Sequence, residues 1–160
     1  AWGANEIFPR VCYRKTTDGA SAEKFHANCD GAGPSVTIMR LSSGVVIGGY
    51  TSEPWVSGGD FVADCDAFLF SITKKFKMPL RGSCASAIYG YQDFGPVFGD
   101  GYELYITSNL ENGYCNPGDT YACLTGSPQS WQCQNDLCGS FSGWIVDELE
   151  VWVRGPVPPP

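Results

Sequence analysis

The sequence predicts a mainly β protein, a two-sheet antiparallel β-sandwich with short flanking helices that is stabilised by disulfide bonds. Three observations lead to this fold class. The 160 residues include 20 glycines and 11 prolines, which favour turns and short strands over long helices. About six or seven short apolar segments are separated by turn residues, and one segment has a helical pattern. With 43% hydrophobic residues the chain can bury one core, and its eight cysteines can crosslink it.

The first half of the chain contains one predicted helix and a predicted β-hairpin. Residues 21–28 form the helix, with Ser21 as its N-cap. Segments 36–41 and 45–50 are rich in β-branched residues and flank the short turn 42–44. This combination is typical of a hairpin.

Four further strands are predicted, at 66–73, 85–91, 102–107 and 144–153, and the first is apolar enough to be buried on both faces. Alternation in the last strand divides its residues between two faces. One face carries Ile145, Leu149, Val151 and Val153, and the other carries Val146, Glu148, Glu150 and Trp152. The chain is thus divided into an N-terminal lead (1–10), a single domain (11–154) with a Cys-rich loop segment (109–139), and a Pro-rich tail (155–160).

The cysteines predict four disulfides and an oxidising compartment. Their number is even, none is spaced as C-x-x-C, and the chain has one histidine, so neither a zinc site nor any other cofactor is expected. The start Ala1-Trp2 fits a mature chain whose signal peptide has been removed, which predicts secretion. Eight cysteines allow 105 connectivities, although the four within 115–138 are expected to crosslink their own segment. The eight are Cys12, Cys29, Cys65, Cys84, Cys115, Cys123, Cys133 and Cys138.

Charge and hydropathy exclude two classes of partner. Ten Lys and Arg against seventeen Asp and Glu give a formal net charge of −7, which disfavours binding to nucleic acid. No segment reaches the roughly 18–20 apolar residues that span a membrane, so membrane insertion is not expected.

A series of motifs runs along residues 11–153. They are Tyr13-Arg14, Asp18-Gly19, Phe25-His26, Cys29-Asp30, Gly33-Pro34, Gly48-Gly49-Tyr50-Thr51, Trp55, Asp66-Ala67-Phe68-Leu69-Phe70-Ser71, Gly95-Pro96, Phe98-Gly99-x-Gly101, Leu104-Tyr105-Ile106 and Val146-x-Glu148-x-Glu150-Val151. In sequence and order these motifs resemble the TLDc domain family. The resemblance implies a β-sandwich of two antiparallel sheets with short flanking helices, and it brings no accepted catalytic residues. The family's best-known members are intracellular and are associated with resistance to oxidative stress and with the vacuolar proton pump. The seven cysteines outside Cys29-Asp30 and the Cys-rich stretch 115–138 distinguish this chain from them and predict an extracellular relative.

Paired carboxylates are the first candidates for catalysis. Glu148 and Glu150 lie two apart on a predicted strand, about 6.6–7 Å from each other on one face. That separation suits a glycosidase pair. Asp64 and Asp66 have the same spacing. We expect Glu148 and Glu150 instead to accept hydrogen bonds from loop amides.

Other chemistry-bearing residues also favour structural roles. Ser71 and Lys74 match the S-x-x-K acyl-transfer motif, but this serine ends a strand, whereas the chemistry needs it at a helix start. His26 has no nucleophile-elbow sequence as a partner and fits a packed or capping histidine. Segment 74–81 holds four cations, which suits an anion patch or a solvated loop. The sequence therefore predicts a protein that is not an enzyme.

The Cys-rich loop favours a binding site, with carbohydrate as the ligand class. Sugar recognition needs a flat apolar ring face together with amides and carboxylates for the hydroxyls, and disulfides hold such a loop at little ordering cost. A glycan or glycoprotein is then the partner, with homo-oligomerisation as a route to avidity. The alternatives are that these aromatics only cover the disulfides, and that the chain is an extracellular structural, protein-interaction or defence protein. The predicted lectin-like site comprises Tyr114, Asn116, Asp119, Tyr121, Trp131 and Gln132.

Overall fold

A computed structural model describes residues 7–154 and confirms the mainly β, disulfide-stabilised sandwich. The N-terminal lead before residue 7 and the predicted Pro-rich tail lie outside the described residues. The described part has eleven strands and three helices. They are β1 (Arg10–Arg14), α1 (Lys15–Asp18), α2 (Ala22–Cys29), β2 (Ser35–Leu41), β3 (Val46–Thr51), β4 (Gly58–Val62), β5 (Phe68–Ser71), β6 (Phe76–Pro79), β7 (Ile88–Tyr91), β8 (Val97–Phe98), β9 (Leu104–Ile106), β10 (Gly113–Cys115), α3 (Trp131–Cys138) and β11 (Val146–Val153).

The strands form two antiparallel sheets around one main core. The six-stranded sheet has the order β1-β11-β2-β3-β5-β6, and the five-stranded sheet has the order β10-β9-β8-β7-β4. Inward side chains of both sheets meet in the core, which includes Leu41 and Leu69 from one sheet and Phe98 and Leu104 from the other. Trp55 is fully buried among them, and its indole nitrogen donates to Ser35 Oγ at 3.0 Å.

The predicted helix and hairpin are confirmed. Ser21 caps α2, because its side chain accepts a hydrogen bond from the Lys24 amide. Strands β2 and β3 pair in register from Ser35 opposite Thr51 onward. Strand β5 is buried at all four positions, as its continuous apolar sequence predicts. The predicted strands 66–73, 85–91 and 102–107 are shorter in the structure, and β1, β4, β6, β8 and α1 were not predicted.

One prediction about the last strand is wrong at its start. Leu149, Val151 and Val153 face the core together, as expected, but Ile145 is exposed and Val146 is buried. The cause is a β-bulge, since the pairing with β2 shifts register between Val146 and Glu148. A bulge inserts one extra residue and exchanges the two faces beyond it.

The Cys-rich segment 109–139 was expected to be loop and instead contains β10 and α3. Ser130 caps α3 by accepting from the Cys133 amide, and Gly139 ends it in the left-handed conformation. The buried side chains of α3 are Cys133, Leu137 and Cys138. Two of these three are disulfide-bonded cysteines, so crosslinks hold the helix in place. Because the helix buries few apolar side chains, its sequence shows little helical periodicity of apolar residues.

All eight cysteines pair, and two of the four disulfides lie within the Cys-rich segment, as predicted. Cys115–Cys138 joins β10 to α3, and Cys123–Cys133 joins α3 to the preceding loop. Cys12–Cys29 joins β1 to α2, while Cys65–Cys84 joins the connections on either side of β5 and β6. Over residues 7–154 no helix has the length and apolarity needed to cross a bilayer.

The disulfide pattern predicts a mass difference. The native protein should weigh about 8 Da less than its reduced form, one hydrogen per cysteine. Non-reducing intact mass spectrometry measures this, and alkylation without prior reduction should add no label. Incorporation of several labels into the native protein would contradict the four-disulfide arrangement.

Ionisation of Tyr13 should lower the free energy of unfolding at alkaline pH. Its side chain is fully buried, and its hydroxyl donates to the Gly19 carbonyl at 2.7 Å. Burial raises the pKa of Tyr13 to about 12, against roughly 10 in an unfolded chain. Stability should therefore be unaffected by Tyr13 below pH ~10 and should fall as the pH rises towards ~12.

The Tyr13→Phe variant separates the ionisation from the hydrogen bond. At neutral pH it should lose about 1 kcal/mol, the usual worth of one hydrogen bond. Between neutral pH and pH ~11 it should lose less stability than the wild type, because it has no phenol to ionise. Urea unfolding at both pH values measures the loss of unfolding free energy for each protein. An equal loss in the variant and the wild type would show that Tyr13 ionisation does not affect stability.

Candidate functional site

The six residues of the predicted carbohydrate site do not form one surface. Tyr121 is a clear correction, because it is fully buried and its hydroxyl donates to the Ala87 carbonyl at 2.6 Å. Burial raises the pKa of Tyr121 well above its ordinary value. Trp131 and Gln132 are exposed at the start of α3, and Trp131 is 69% exposed.

The polar members of the predicted site bond within the loop. Asn116 Oδ1 accepts from Gln134 Nε2 at 2.7 Å, and Asp119 Oδ2 accepts from Gln129 Nε2 at 2.8 Å. Tyr114 belongs to a different surface, described below. The part of the predicted site that stays on the Cys-rich loop consists of Asn116, Asp119, Trp131 and Gln132. Trp131 is its one aromatic ring.

The candidate carboxylate pairs each have structural partners. The loop amides expected for Glu148 and Glu150 are not their partners. Glu148 accepts from the amide and hydroxyl of Thr16 in α1. Glu150 accepts from two side chains, Arg14 Nε at 2.9 Å and Trp152 Nε1 at 2.8 Å.

Asp64 is buried and holds the connections around β3 and β5. Its carboxylate accepts from the Thr51 hydroxyl at 2.8 Å, from the Ser52 amide and hydroxyl at 2.6 Å each, and from the Asp66 amide at 3.0 Å. Asp66 contributes only its backbone to this arrangement, so the two carboxylates do not act as a pair.

His26 links α2 to the loop that follows β7. Its Nδ1 lies 2.7 Å from Asp30 Oδ1 and its Nε2 lies 2.9 Å from the Phe94 carbonyl oxygen. The Ser57 hydroxyl donates to the same Asp30 carboxylate, not to the imidazole. The arrangement fixes the position of Phe94.

The S-x-x-K motif and the cationic segment form ordinary turn contacts. Ser71 Oγ accepts from the Lys74 amide at 3.1 Å, and Lys74 Nζ donates to the Asn135 carbonyl. Lys77 Nζ lies 3.9 Å from the centre of the Phe68 ring. Arg81 Nη1 donates to the Gly118 carbonyl at 2.7 Å. No group of three His, Cys, Asp or Glu within residues 7–154 is placed to hold a metal ion.

The strongest candidate site is a continuous aromatic surface on the outer side of the five-stranded sheet. Alternation along the strands creates it, because inward residues such as Leu104 and Ile106 are buried while the intervening Tyr105 points outward. In the same way Tyr114 lies between buried neighbours in β10. We call this surface the aromatic face. Its members are Phe61, Tyr89, Tyr91, Phe94, Tyr102, Tyr105, Tyr114 and Phe141.

Strand register aligns five positions into one row across the sheet. Tyr114 is opposite Tyr105, Tyr105 is opposite Val97, Val97 is opposite Tyr89, and Tyr89 is opposite Phe61. Directly opposed residues share a face and lie close enough for their side chains to touch. The row therefore crosses all five strands.

Loop residues complete the face where the row carries valine. The rings of Phe94 and Tyr102 both contact Tyr89, at 6.3 and 5.1 Å between centroids. They also contact Tyr105, at 4.9 and 5.7 Å. Tyr102 has φ of 61°, a conformation that costs a non-glycine residue roughly 1–3 kcal/mol. In this conformation the Tyr102 ring lies between Tyr89 and Tyr105, over the middle of the sheet.

The two ends of the face are the most exposed. At one end Tyr105, Tyr114 and Phe141 stack in sequence, with centroids 5.5 and 5.2 Å apart and interplanar angles of 16° and 27°. At the other end Phe61 packs against Tyr89 at 4.9 Å. Phe61, Tyr114 and Phe141 are 41%, 46% and 42% exposed.

Three tyrosines of the face, Tyr91, Tyr102 and Tyr105, have a raised pKa and are neutral hydrogen-bond donors at physiological pH. Burial raises the pKa of Tyr102 and Tyr105 above the ordinary value of 10.0. A hydrogen bond to the Asp93 carboxylate raises the pKa of Tyr91. The surface thus offers planar apolar rings with hydroxyl groups attached.

A buried carboxylate fixes the strand beneath the face. Glu103 lies between Tyr102 and Leu104 in the chain and is almost fully buried. Its oxygens accept hydrogen bonds from four consecutive backbone amides, those of residues 118, 119, 120 and 121, at 2.6–3.3 Å. Burial raises the pKa of Glu103, and these hydrogen bonds partly offset that rise.

The Glu103→Ala variant should be strongly destabilised. It would leave four amides, three of them buried, without an acceptor, at a cost of about 3 kcal/mol or more. Glu103→Gln keeps one acceptor oxygen and should lose about 1–2 kcal/mol. Urea unfolding measures both losses, and hydrogen exchange at residues 118–121 reports the amides directly. Unchanged exchange protection in Glu103→Ala would contradict the anchoring role.

The sequence analysis predicted strands near 85–91 and 102–107 but did not identify the aromatic face. The pattern Tyr89-x-Tyr91 and the outward positions 105 and 114 are visible in the sequence as period-2 alternation. They could have been recognised as one side of a sheet. Their alignment into a row depends on the pairing of strands, which the sequence pattern alone does not supply.

Fold and site together describe a disulfide-crosslinked, two-sheet antiparallel domain with an aromatic outer face. The TLDc domain family model matches residues 5–155. The chain therefore belongs to the TLDc domain family, which confirms the resemblance seen in its motifs.

Curated relatives agree with this assignment. The chain is similar to "MTOR-associated protein MEAK7" of Danio rerio, 29% identical over 159 residues, and of Gallus gallus, 26% identical over 159 residues. The Mus musculus protein of the same name is 24% identical over 155 residues. These alignments cover 91–93% of this chain but 32–33% of the relatives. The chain thus spans about a third of the length of the relatives it matches.

Proposed function

We propose that this TLDc domain is a secreted, non-enzymatic binding module and that the aromatic face binds a protein partner. The observation that carries the proposal is the set of eight contacting rings on the outer side of the five-stranded sheet. A single exposed ring on a soluble domain needs no explanation, whereas a contiguous aromatic patch marks an interaction site.

The chemistry of the face suits a protein interface. Aromatic residues, tyrosine above all, are enriched where interfaces are fully desolvated, and each supplies a large apolar area with a polar group attached. Because the rings already pack on one another, with Phe94 held through His26, little side-chain entropy is lost when a partner binds.

The relatives and the disulfides support different parts of the proposal. The relatives carry a name that states an association with another protein, which favours protein binding here as well. The four disulfides favour an oxidising compartment. The partner proposed is accordingly an extracellular protein, not the one for which the relatives are named.

The test is affinity capture with matched variants. The immobilised domain is exposed to the extracellular fluid of its source, and captured proteins are quantified for wild type, Tyr114→Ala/Phe141→Ala and Trp131→Ala. The double variant should lose at least about tenfold of a specific partner, because truncating interface aromatics often costs more than 1 kcal/mol each. Trp131→Ala removes a more exposed ring that contacts none of the eight rings of the face, and this variant should retain the partner.

Hydrogen exchange then locates the contact. The captured partner should protect β7, β9 and β10, while the outer side of the six-stranded sheet exchanges as in the free domain. Circular dichroism checks that every variant is folded. A partner retained equally by the double variant, or protection confined to the six-stranded sheet, would refute the proposal.

Carbohydrate binding is the second candidate function, and a groove beside Tyr114 favours it. The groove has a volume of about 320 Å³ and is lined by Thr107, Asn112, Ser142 and Trp144 together with the Tyr114 ring. Polar side chains beside a ring face are what a pyranose requires.

A glycan array with the same variants decides between the two possible sugar sites. Binding that Tyr114→Ala abolishes would place the sugar in the groove. Binding that only Trp131→Ala abolishes would place it on the Cys-rich loop predicted from the sequence. An array without a hit would exclude the lectin function and leave the protein-binding proposal in place.

A further inference from the structure

We infer that the aromatic face recognises a cationic, arginine-rich segment of its partner. This inference rests on the proposed function, since it names the chemistry of the partner that the face would bind. The distribution of charge over the two sheets and the electronic character of the rings support it independently.

The cations of the chain are segregated from the aromatic face. All ten Lys and Arg belong to the six-stranded sheet, to α1 or α2, or to the residues that adjoin those strands. Residues 82–153 supply seven of the eight rings and contain no Lys or Arg. The ten cations are Arg10, Arg14, Lys15, Lys24, Arg40, Lys74, Lys75, Lys77, Arg81 and Arg154.

Acidic side chains adjoin the face instead. Asp93 accepts a hydrogen bond from the Tyr91 hydroxyl. Asp100 lies two residues before Tyr102, whose ring belongs to the face. Both carboxylates are exposed. A surface with carboxylates and without cations attracts positively charged partners and repels anionic ones.

The rings themselves add a directional attraction for cations. The face of an aromatic ring carries a negative quadrupole, and cations bind over it. The chain already contains one such contact, between Lys77 and Phe68 on the opposite sheet. Arginine suits the aromatic face better than lysine, because its planar guanidinium can stack on a ring and donate to a carboxylate at the same time.

Other occupants fit the surface less well. An acidic peptide or an anionic lipid surface would meet Asp93 and Asp100 as like charges. A purely apolar partner would bury these carboxylates without a counterion, which is unfavourable. A second copy of this chain would bring the same acids against one another.

The test uses an oligoarginine peptide as the probe, with an oligocitrulline peptide of equal length as the uncharged control. Calorimetry should show saturable binding of oligoarginine that weakens as salt is raised, and no binding of oligocitrulline. The Tyr105→Leu/Tyr114→Leu variant keeps apolar bulk but loses the ring quadrupoles. Its affinity should fall about tenfold, as expected for two lost cation–π contacts.

Three further variants make the result specific. Tyr105→Phe/Tyr114→Phe restores the rings and should recover most of the lost affinity. Asp93→Asn should weaken binding about twofold, because it removes one exposed charge next to the face. Trp131→Leu lies off the face and should bind as the wild type does. Circular dichroism and thermal midpoints confirm that each variant is folded.

Equal affinity of the wild type and the Leu double variant would overturn the inference, and so would equal affinity for the two peptides. A concentration-dependent dimer that the Leu variant dissociates would assign the face to a second copy and would also overturn it. If oligoarginine fails while capture of a protein partner still depends on Tyr114 and Phe141, only the inference fails. If capture is also independent of the face, the proposed function fails with it.

Discussion

Hydrogen bonds to the Glu103 carboxylate join the Cys-rich segment to the rest of the sandwich. Four consecutive amides, those of residues 118–121, converge on its two oxygens. The same stretch reaches the six-stranded side through Arg81, whose amide donates to the Thr120 carbonyl and whose guanidinium donates to the Gly118 carbonyl. Tyr121 then enters the core. A segment with few apolar residues is thereby fixed by one buried charge, because an ionised group in a low-dielectric interior demands hydrogen-bond donors around it.

The same residue also lies next to the aromatic face in the chain. Tyr102 directly precedes Glu103, and the Tyr102 ring stacks on Tyr105, with 5.7 Å between the ring centroids. His26 restrains the face from another direction by binding the Phe94 carbonyl. A binding surface built on a sheet and supported from below is preorganised, so a partner does not have to order it.

The two sheets have different chemical characters. The six-stranded sheet, its helices and the residues that adjoin them carry every Lys and Arg, and Arg14 forms an ion pair with Glu150. The five-stranded sheet is aromatic on its outer side, and the exposed Asp93 and Asp100 lie in its connecting loops. The formal net charge of the chain is −7. The uneven distribution of Lys and Arg nevertheless leaves the aromatic face without cations of its own.

Local sequence patterns determined six of the eleven strands, the hairpin, the Ser21-capped helix, the even set of cysteines and the family. Each depends on residues close together in the chain or on simple counting. The structure decided what local patterns cannot encode. A bulge exchanged Ile145 and Val146 between faces, α3 formed where half-cystines replace an apolar stripe, and Tyr121 was buried while Tyr114 was exposed. The row from Tyr114 to Phe61 is the clearest case. Alternation assigns each tyrosine to one side of its own strand, but the register between strands is set by contacts among residues far apart in sequence, and only that register brings the rings together.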